Sequence, residues 1–331
     1  MPEGGQNTPE YYEDALARHK IFMQTNLPAR KVFRQDFFSV GIHPESGDII
    51  YSLIDGMGGV GRYFPAINLP SVGITKNSNF LADRLYNAVP FMEPTEAIIA
   101  ANNQLDEIIM GRRRSAERPP IATGCAGYIS PPDLNLCRRF ATASLGDSFQ
   151  AKFSLRLGGY KPARLIDGYS NANGRNELRN EDMHPFLCQI LPQDNEANRL
   201  RLKRIIPLVA VENNPGSSQL ITGFGRSDIE NYIWTTEVTL APDEAVIIAS
   251  DGIGGQDLMA FNFFDSPKHE HLMAVFDLLK TMYWNADQDT FTHCFEVMAK
   301  ILRKYFFETD EITFGFIPPL VPQITTQYEG F

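Results

Sequence analysis

The sequence predicts an α+β fold in which antiparallel β-sheets are covered by α-helices. Three observations predict it. Short apolar runs rich in β-branched and aromatic residues recur along the chain, each bounded by Gly, Pro, Asp or Asn. Two of them form a hairpin-like pair turned by Ala241-Pro242-Asp243-Glu244. Helical periodicity gathers in a few blocks between the strand runs, and the regular strand–helix alternation of a doubly wound parallel sheet is missing.

Taken in order, residues 1–8 carry no periodic pattern and are expected to be disordered, and residues 9–24 read as a short amphipathic helix. Strand runs follow at 37–42, 49–54, 122–129, 134–145 and 151–157. A helix over 95–112 interrupts them. Its apolar positions Ala97, Ile98, Ala101, Leu105, Ile108 and Ile109 share one stripe, Thr95 suits an N-cap, and Arg112 to Arg114 suit the C-terminal end. The stretch 167–218 is rich in Asn, Asp, Glu and Pro and reads as an elaborated loop region. The pair 237–240 and 245–249 comes next, then helices at 269–283 and 288–305. A last strand spans 312–317 ahead of a tail that begins Pro318-Pro319.

Composition narrows the function classes. A chain of 331 residues, 43% hydrophobic and 21% charged, can bury a full core as one large domain or two small ones. A formal charge of −10 argues against a phosphate-backbone footprint, so nucleic acid is not an expected partner. No apolar run is long enough to span a bilayer, and the N-terminal stretch lacks the build of a signal peptide. Cys125, Cys137, Cys188 and Cys294 show no CxxC spacing and read as reduced thiols. A cytoplasmic protein without a membrane partner is the expectation.

The chemistry concentrates in acidic turns. Leu53-Ile54-Asp55-Gly56-Met57-Gly58-Gly59 and Ala249-Ser250-Asp251-Gly252-Ile253-Gly254-Gly255 each end a buried strand run on an aspartate and a glycine turn. Asp147 closes the run before it in Ser144-Leu145-Gly146-Asp147-Ser148, and Asp310 opens the last strand in Thr309-Asp310-Glu311-Ile312-Thr313. Any one of these is most simply a turn cap. Four together favour a site for hard cations, since carboxylates and backbone carbonyls suit Mg²⁺ or Mn²⁺ rather than zinc. One decoy sits inside the first turn. Gly56-Met57-Gly58-Gly59-Val60-Gly61 matches GxGxxG literally, but Asp55 would face the pyrophosphate and Pro65 and Pro70 follow where a helix should open. A nucleotide-dependent oxidoreductase therefore rests on that match alone.

In order and spacing, these motifs resemble the metal-dependent protein phosphatase family of the protein phosphatase 2C type, especially its bacterial branch. That branch carries DGMGG in its first aspartate loop, V-G-D-S where this chain has Leu145 to Ser148, A-S-D-G as at Ala249 to Gly252, and D-N-x-T where this chain has Asp310 to Thr313. The family's opening R-x-x-N-[EQ]-D corresponds to Lys31-Val32-Phe33-Arg34-Gln35-Asp36. The resemblance runs from about residue 29 to residue 317.

The resemblance implies a four-layer sandwich, two antiparallel sheets flanked by α-helices, with a metal cleft at one end. It implies an N-terminal extension at 1–28, a phosphatase domain at 29–318 with a variable flap over about 167–218, and a C-terminal tail at 319–331. It also implies that Asp55 bridges two Mg²⁺ or Mn²⁺ ions, with the Gly56 carbonyl completing one. Asp251 and Asp310 would hold the other, Asp36 the metal-coordinated waters, and Asp147 a third, weaker ion. The implied activity is Ser/Thr phosphoprotein hydrolysis, with a Ser/Thr kinase pathway as partner. The departures are Lys31 where the family has its phosphate-binding arginine, with Arg30 or Arg34 as alternative anion binders; Val60 where bacterial members often have histidine; and Glu311 in place of asparagine. These leave a second reading open, a catalytically weak or inactive relative that serves as a regulatory binding protein.

Overall fold

The computed structural model describes residues 9–28, 34–56, 70–105, 121–146, 148–154, 161–166, 223–225, 229–250, 269–305 and 310–322. Among the described residues, ten strands form two five-stranded sheets. The first has the order β1 (Phe22–Asn26), β10 (Ile312–Ile317), β9 (Ala245–Ala249), β6 (Phe149–Ser154), β7 (Lys161–Ile166). The second runs β2 (Phe37–Ile42), β3 (Ile49–Gly56), β4 (Ala122–Ile129), β5 (Arg138–Leu145), β8 (Trp234–Leu240). Every pairing is antiparallel.

The layering follows from alternation along each strand. On β3, Ile49, Tyr51 and Leu53 enter the core between the sheets, where they meet Val246 and Ile248 of β9. Ile50 and Ile54 face the other way, onto helices α2 (Pro70–Ala88) and α3 (Pro94–Leu105). Burial on both faces explains why these runs are apolar throughout rather than alternating. The outer face of the first sheet is covered by α4 (His269–Trp284) and α5 (Gln288–Tyr305), with Phe291, Phe295 and Phe314 stacked in near-parallel planes. The result is the four-layer α/β/β/α sandwich expected of the sequence.

Three local expectations change. The helix read at 9–24 ends early: α1 spans Pro9–Ala17, and the chain then enters β1 at the edge of the first sheet. Phe22 explains the switch, because its ring stacks on Phe291 at 5.4 Å and joins the core under α5. The expected hairpin at 237–249 is instead a crossing between sheets, with β8 beside β5 and β9 between β10 and β6. Leu240 and Val246 both point into the space between the sheets, so the turn carries the chain across that space. Strand periodicity reports which face is buried, not which sheet holds the strand. The helix α2 was not anticipated, since Gly73 and its β-branched and Asn residues lower helix propensity. It starts at a proline, which the first helical position tolerates, and buries Leu81, Ala82 and Leu85 against β3. The stretch 167–218, read as a flap, lies outside the described residues. No described helix is long and apolar enough to cross a membrane.

Phe314 is the centre of the aromatic stack and is 1% exposed. Phe314→Ala is expected to cost about 3–5 kcal/mol, read as a lowered midpoint in denaturant with an unchanged slope.

Candidate functional site

The strand directions bring several of the acidic residues to one end of the sandwich. β3 ends there at Asp55 and Gly56, which pair with Thr123 and Ala122. β9 ends there at Ala249, followed by Ser250, and β10 begins there after Asp310 and Glu311. Asp36 lies just ahead of β2 and is 1% exposed. Its Oδ2 accepts a hydrogen bond from the Thr313 hydroxyl at 2.7 Å, and its carboxyl is also in hydrogen-bond contact with Ser250 and Asp55. Two carboxyl groups, from different parts of the chain, therefore meet at a buried strand end.

Glu311 holds this arrangement together. It is 1% exposed, and its two carboxylate oxygens accept the backbone N–H groups of Gln35 and Asp36, each at 2.7 Å. Thr313 is hydrogen-bonded to Ser250 in both directions, its N–H to the Ser250 hydroxyl and its carbonyl from the Ser250 N–H. Thr25 of β1 completes the set by a 2.9 Å contact between its hydroxyl and that of Thr313. Burial, and secondarily the negative charge of Glu311, push Asp36 up to about 7. Hydrogen-bond contacts with Thr313, Ser250 and Asp55 oppose that rise without cancelling it.

No protein-family model matches the chain, and no curated protein matches it in sequence. Solved structures do match. The crystal structure of a bacterial serine phosphatase superposes with a TM-score of 0.51 at 13% identity, covering 92% of this chain and 99% of that one. A point variant of a bacterial serine phosphatase gives the same TM-score, identity and coverage. The chain has the fold of a bacterial serine phosphatase.

Within that phosphatase fold, the residues singled out from sequence are placed unevenly. Asp36, Asp55 and Gly56 come together at the strand ends. Asp310 is half-buried at the same end, its Oδ1 accepting the Glu311 N–H at 2.7 Å and its carbonyl accepting Arg303 Nη1 at 2.9 Å. Arg303, in the last turn of α5, also grips Asn26 through Nε and Nη2, so the start of β10 is tied to β1. Arg34 donates from Nε to the Asp36 carbonyl at 2.7 Å and from Nη2 to Thr25, with its guanidinium over Phe37 and Phe38. These hydrogen bonds clamp the opening motif. Lys31, Asp147, Asp251, Val60 and Arg30 lie outside the described residues. Among the described residues no three His, Cys, Asp or Glu side chains form a ready-made metal cage.

The sequence reading missed the supporting polar residues. Thr313 and Ser250 sit inside the acidic motifs without marking themselves as ligand supports, Thr25 and Arg303 carry no local signal, and Glu311 stands out in the sequence only as a departure from the family's asparagine. A buried acid beside a strand start was the available clue, since such an acid needs donors.

Glu311→Gln keeps the shape but offers one acceptor oxygen to two N–H groups. It is expected to lower stability by about 1–3 kcal/mol, measured by denaturant unfolding, with Glu311→Ala lower still. Asp36 binds its proton more tightly folded than unfolded, so it adds stability fully present below its ordinary value of 3.8 and lost as pH rises towards 7. In the absence of divalent ions, Asp36→Asn should therefore gain on the native protein between pH 4 and 8, by up to about 4 kcal/mol for a shift from 3.8 to about 7. Parallel stability–pH curves for the two proteins would refute this origin.

Proposed function

We propose that the chain is a Mg²⁺- or Mn²⁺-dependent phosphatase acting on phosphoserine or phosphothreonine in proteins. The observation that carries the reading is the meeting of Asp36 and Asp55 at a buried strand end, in the fold of a bacterial serine phosphatase. A carboxyl whose proton affinity is raised by burial and a neighbouring carboxylate is suited to a cation's positive charge. The donor set fits hard ions: carboxylates from Asp55, Asp251 and Asp310 and the carbonyl of Gly56, with Asp147 available for a third.

Two ions held there would supply an activated water and a clamp on the phosphoryl oxygens. The protein's own contribution is positional. Asp55 stands at the end of β3, its backbone fixed by pairing with Thr123. Asp310 is fixed at its own carbonyl by Arg303 and at Oδ1 by the next peptide N–H. Asp36 is oriented by Thr313 and Ser250, and is suited to hold a water and take up its proton. The phosphate anion would be met by a basic residue of the opening motif. Lys31 and Arg30 are the candidates of choice, because Arg34 donates to Asp36 and Thr25. The phosphatase domain would span 29–318, the substrate a cytoplasmic phosphoprotein, and the opposing enzyme a Ser/Thr kinase.

The second reading is a non-catalytic binding protein, favoured by Lys31 and Val60. Glu311 no longer speaks for it. Its carboxylate is engaged with two backbone N–H groups, so the loss of asparagine there is a change of scaffold. Hydrolysis of p-nitrophenyl phosphate with Mn²⁺ separates the two readings. Activity should exceed that of Asp55→Ala, and equal rates for both proteins at every divalent ion tried would leave only the binding reading. Asp310→Asn and Asp251→Asn should each raise the Mn²⁺ needed for half-maximal rate by at least about tenfold, the scale at which even outer-shell partners act. Their circular dichroism should stay native.

A further inference from the structure

The two described sheets have four edge strands, β1, β7, β2 and β8. Two of them carry charge or proline. β7 has Lys161, Pro162 and Arg164, and β8 has Glu237 in an ion pair with Arg139. On β1, Arg303 already takes the Asn26 carbonyl. Charges and prolines are how natural edges avoid pairing with another chain. β2 has neither. Its residues, Phe37 to Ile42, pair with β3 without a register shift and leave the other side of the strand undefended.

The ladder shows which groups face that side. The His43 N–H donates to the Asp48 carbonyl directly opposite, which makes the two a hydrogen-bonded pair. Alternation then turns the N–H and C=O groups of Phe37, Ser39 and Gly41 toward β3, and those of Phe38, Val40 and Ile42 away from it. These outward groups have no hydrogen-bond partner among the described residues. The row stops at Asp36, whose N–H and C=O are taken by Glu311 and Arg34. The side chains of Phe38, Val40 and Ile42 share the face toward the other sheet. Phe38 and Val40 pack half-buried against the core between the sheets, and Ile42 is 53% exposed. On the opposite face Asp83 of α2 is exposed and accepts the Ser39 hydroxyl at 3.0 Å.

We propose that β2 is the docking edge for the phosphoprotein substrate, which adds an extended segment to it as an antiparallel strand. This rests on the phosphatase reading of the site. Antiparallel pairing is the more stable kind and is the kind both sheets use. The edge begins beside Asp36, so a strand laid along it runs toward the acidic cluster and reaches it with its C-terminal end. Substrate residues facing Ile42, Val40 and Phe38 lead to a residue level with Asp36, and all four side chains lie on one face. That is the face on which Asp36 reaches Thr313 of the other sheet, so the last of the four is the phosphoresidue. The substrate signature is then apolar residues two, four and six places before the phosphoresidue, where they extend the core between the sheets. A lysine or arginine three places before it meets Asp83, and the net charge of −10 favours such a residue.

The probe is a fluorescein-labelled peptide with valines two, four and six places before a serine and lysine three places before it. Serine replaces phosphoserine, so the bound peptide is not consumed. Anisotropy against the full chain should saturate. Methylating the peptide nitrogen of the valine opposite Val40 deletes one ladder donor without changing a side chain, and should weaken binding at least about fivefold. The kcat/KM for the phosphoserine form should fall by the same factor. Val40→Pro removes the matching donor from the protein, at an edge position where proline is tolerated. It should weaken peptide binding while p-nitrophenyl phosphate turnover stays unchanged. Equal binding or equal kcat/KM of the methylated and unmethylated peptides overturns the proposal, as does the absence of saturable binding. Self-association of the native chain that Val40→Pro abolishes also overturns it, since the edge then belongs to a second copy. The methylated peptide decides the question even where Val40→Pro fails to fold. Failure of the phosphatase reading shows separately, as p-nitrophenyl phosphate turnover no greater than that of Asp55→Ala.

Discussion

One buried carboxylate joins the two sheets at the end where the acidic turns converge. Glu311 precedes β10 in one sheet and accepts the two N–H groups that lead into β2 in the other. Hydrogen bonds to a charged group are worth about 1.5–3 kcal/mol each, and here two of them offset the cost of burying the charge. The start of β2 carries Asp36, and the start of β10 carries Asp310, so a single side chain sets the spacing of both. The Thr25–Thr313–Ser250 contacts extend the same constraint across β1, β10 and the end of β9. The acidic cluster is thereby held by main-chain bonds, not by its own mutually repelling carboxylates.

Much of this was legible in the sequence, for identifiable reasons. β4, α5 and β10 have the bounds read from their residues, because each has a strong period and a clear stop. The aspartates at 55 and 310 were legible because glycine turns and strand ends announce themselves. What stayed hidden depends on contacts between distant residues. Nothing local says that Phe22 belongs under α5, or that β8 and β9 part company at Ala241. Gly73 and the asparagines of α2 hide a helix that tertiary burial of Leu81 and Leu85 stabilises. The polar supports at Thr25 and Arg303 are ordinary residues until β1 lies beside β10.

Glu311 shows how a motif comparison misleads when it stops at identity. Read as a replaced asparagine, it lowered the expectation of activity. Read with its partners, it is an acceptor for two donors, a role asparagine's single side-chain oxygen fills less well. The local potential changes as well, since an added negative charge raises the proton affinity of Asp36. A divalent ion at that strand end would compete directly with that proton.

The first sheet sets β1 beside β10, so nearly the whole chain separates two neighbouring strands. Among the described strands the chain also changes sheet four times, from β1 to β2, β5 to β6, β7 to β8 and β8 to β9. The second sheet has all its described strands once β8 is made, whereas β1, at the edge of the first sheet, waits for β10, its described partner. Pairing across so long a stretch of chain is slow, and the acidic cluster, which draws on the residues that open β10, forms only after it.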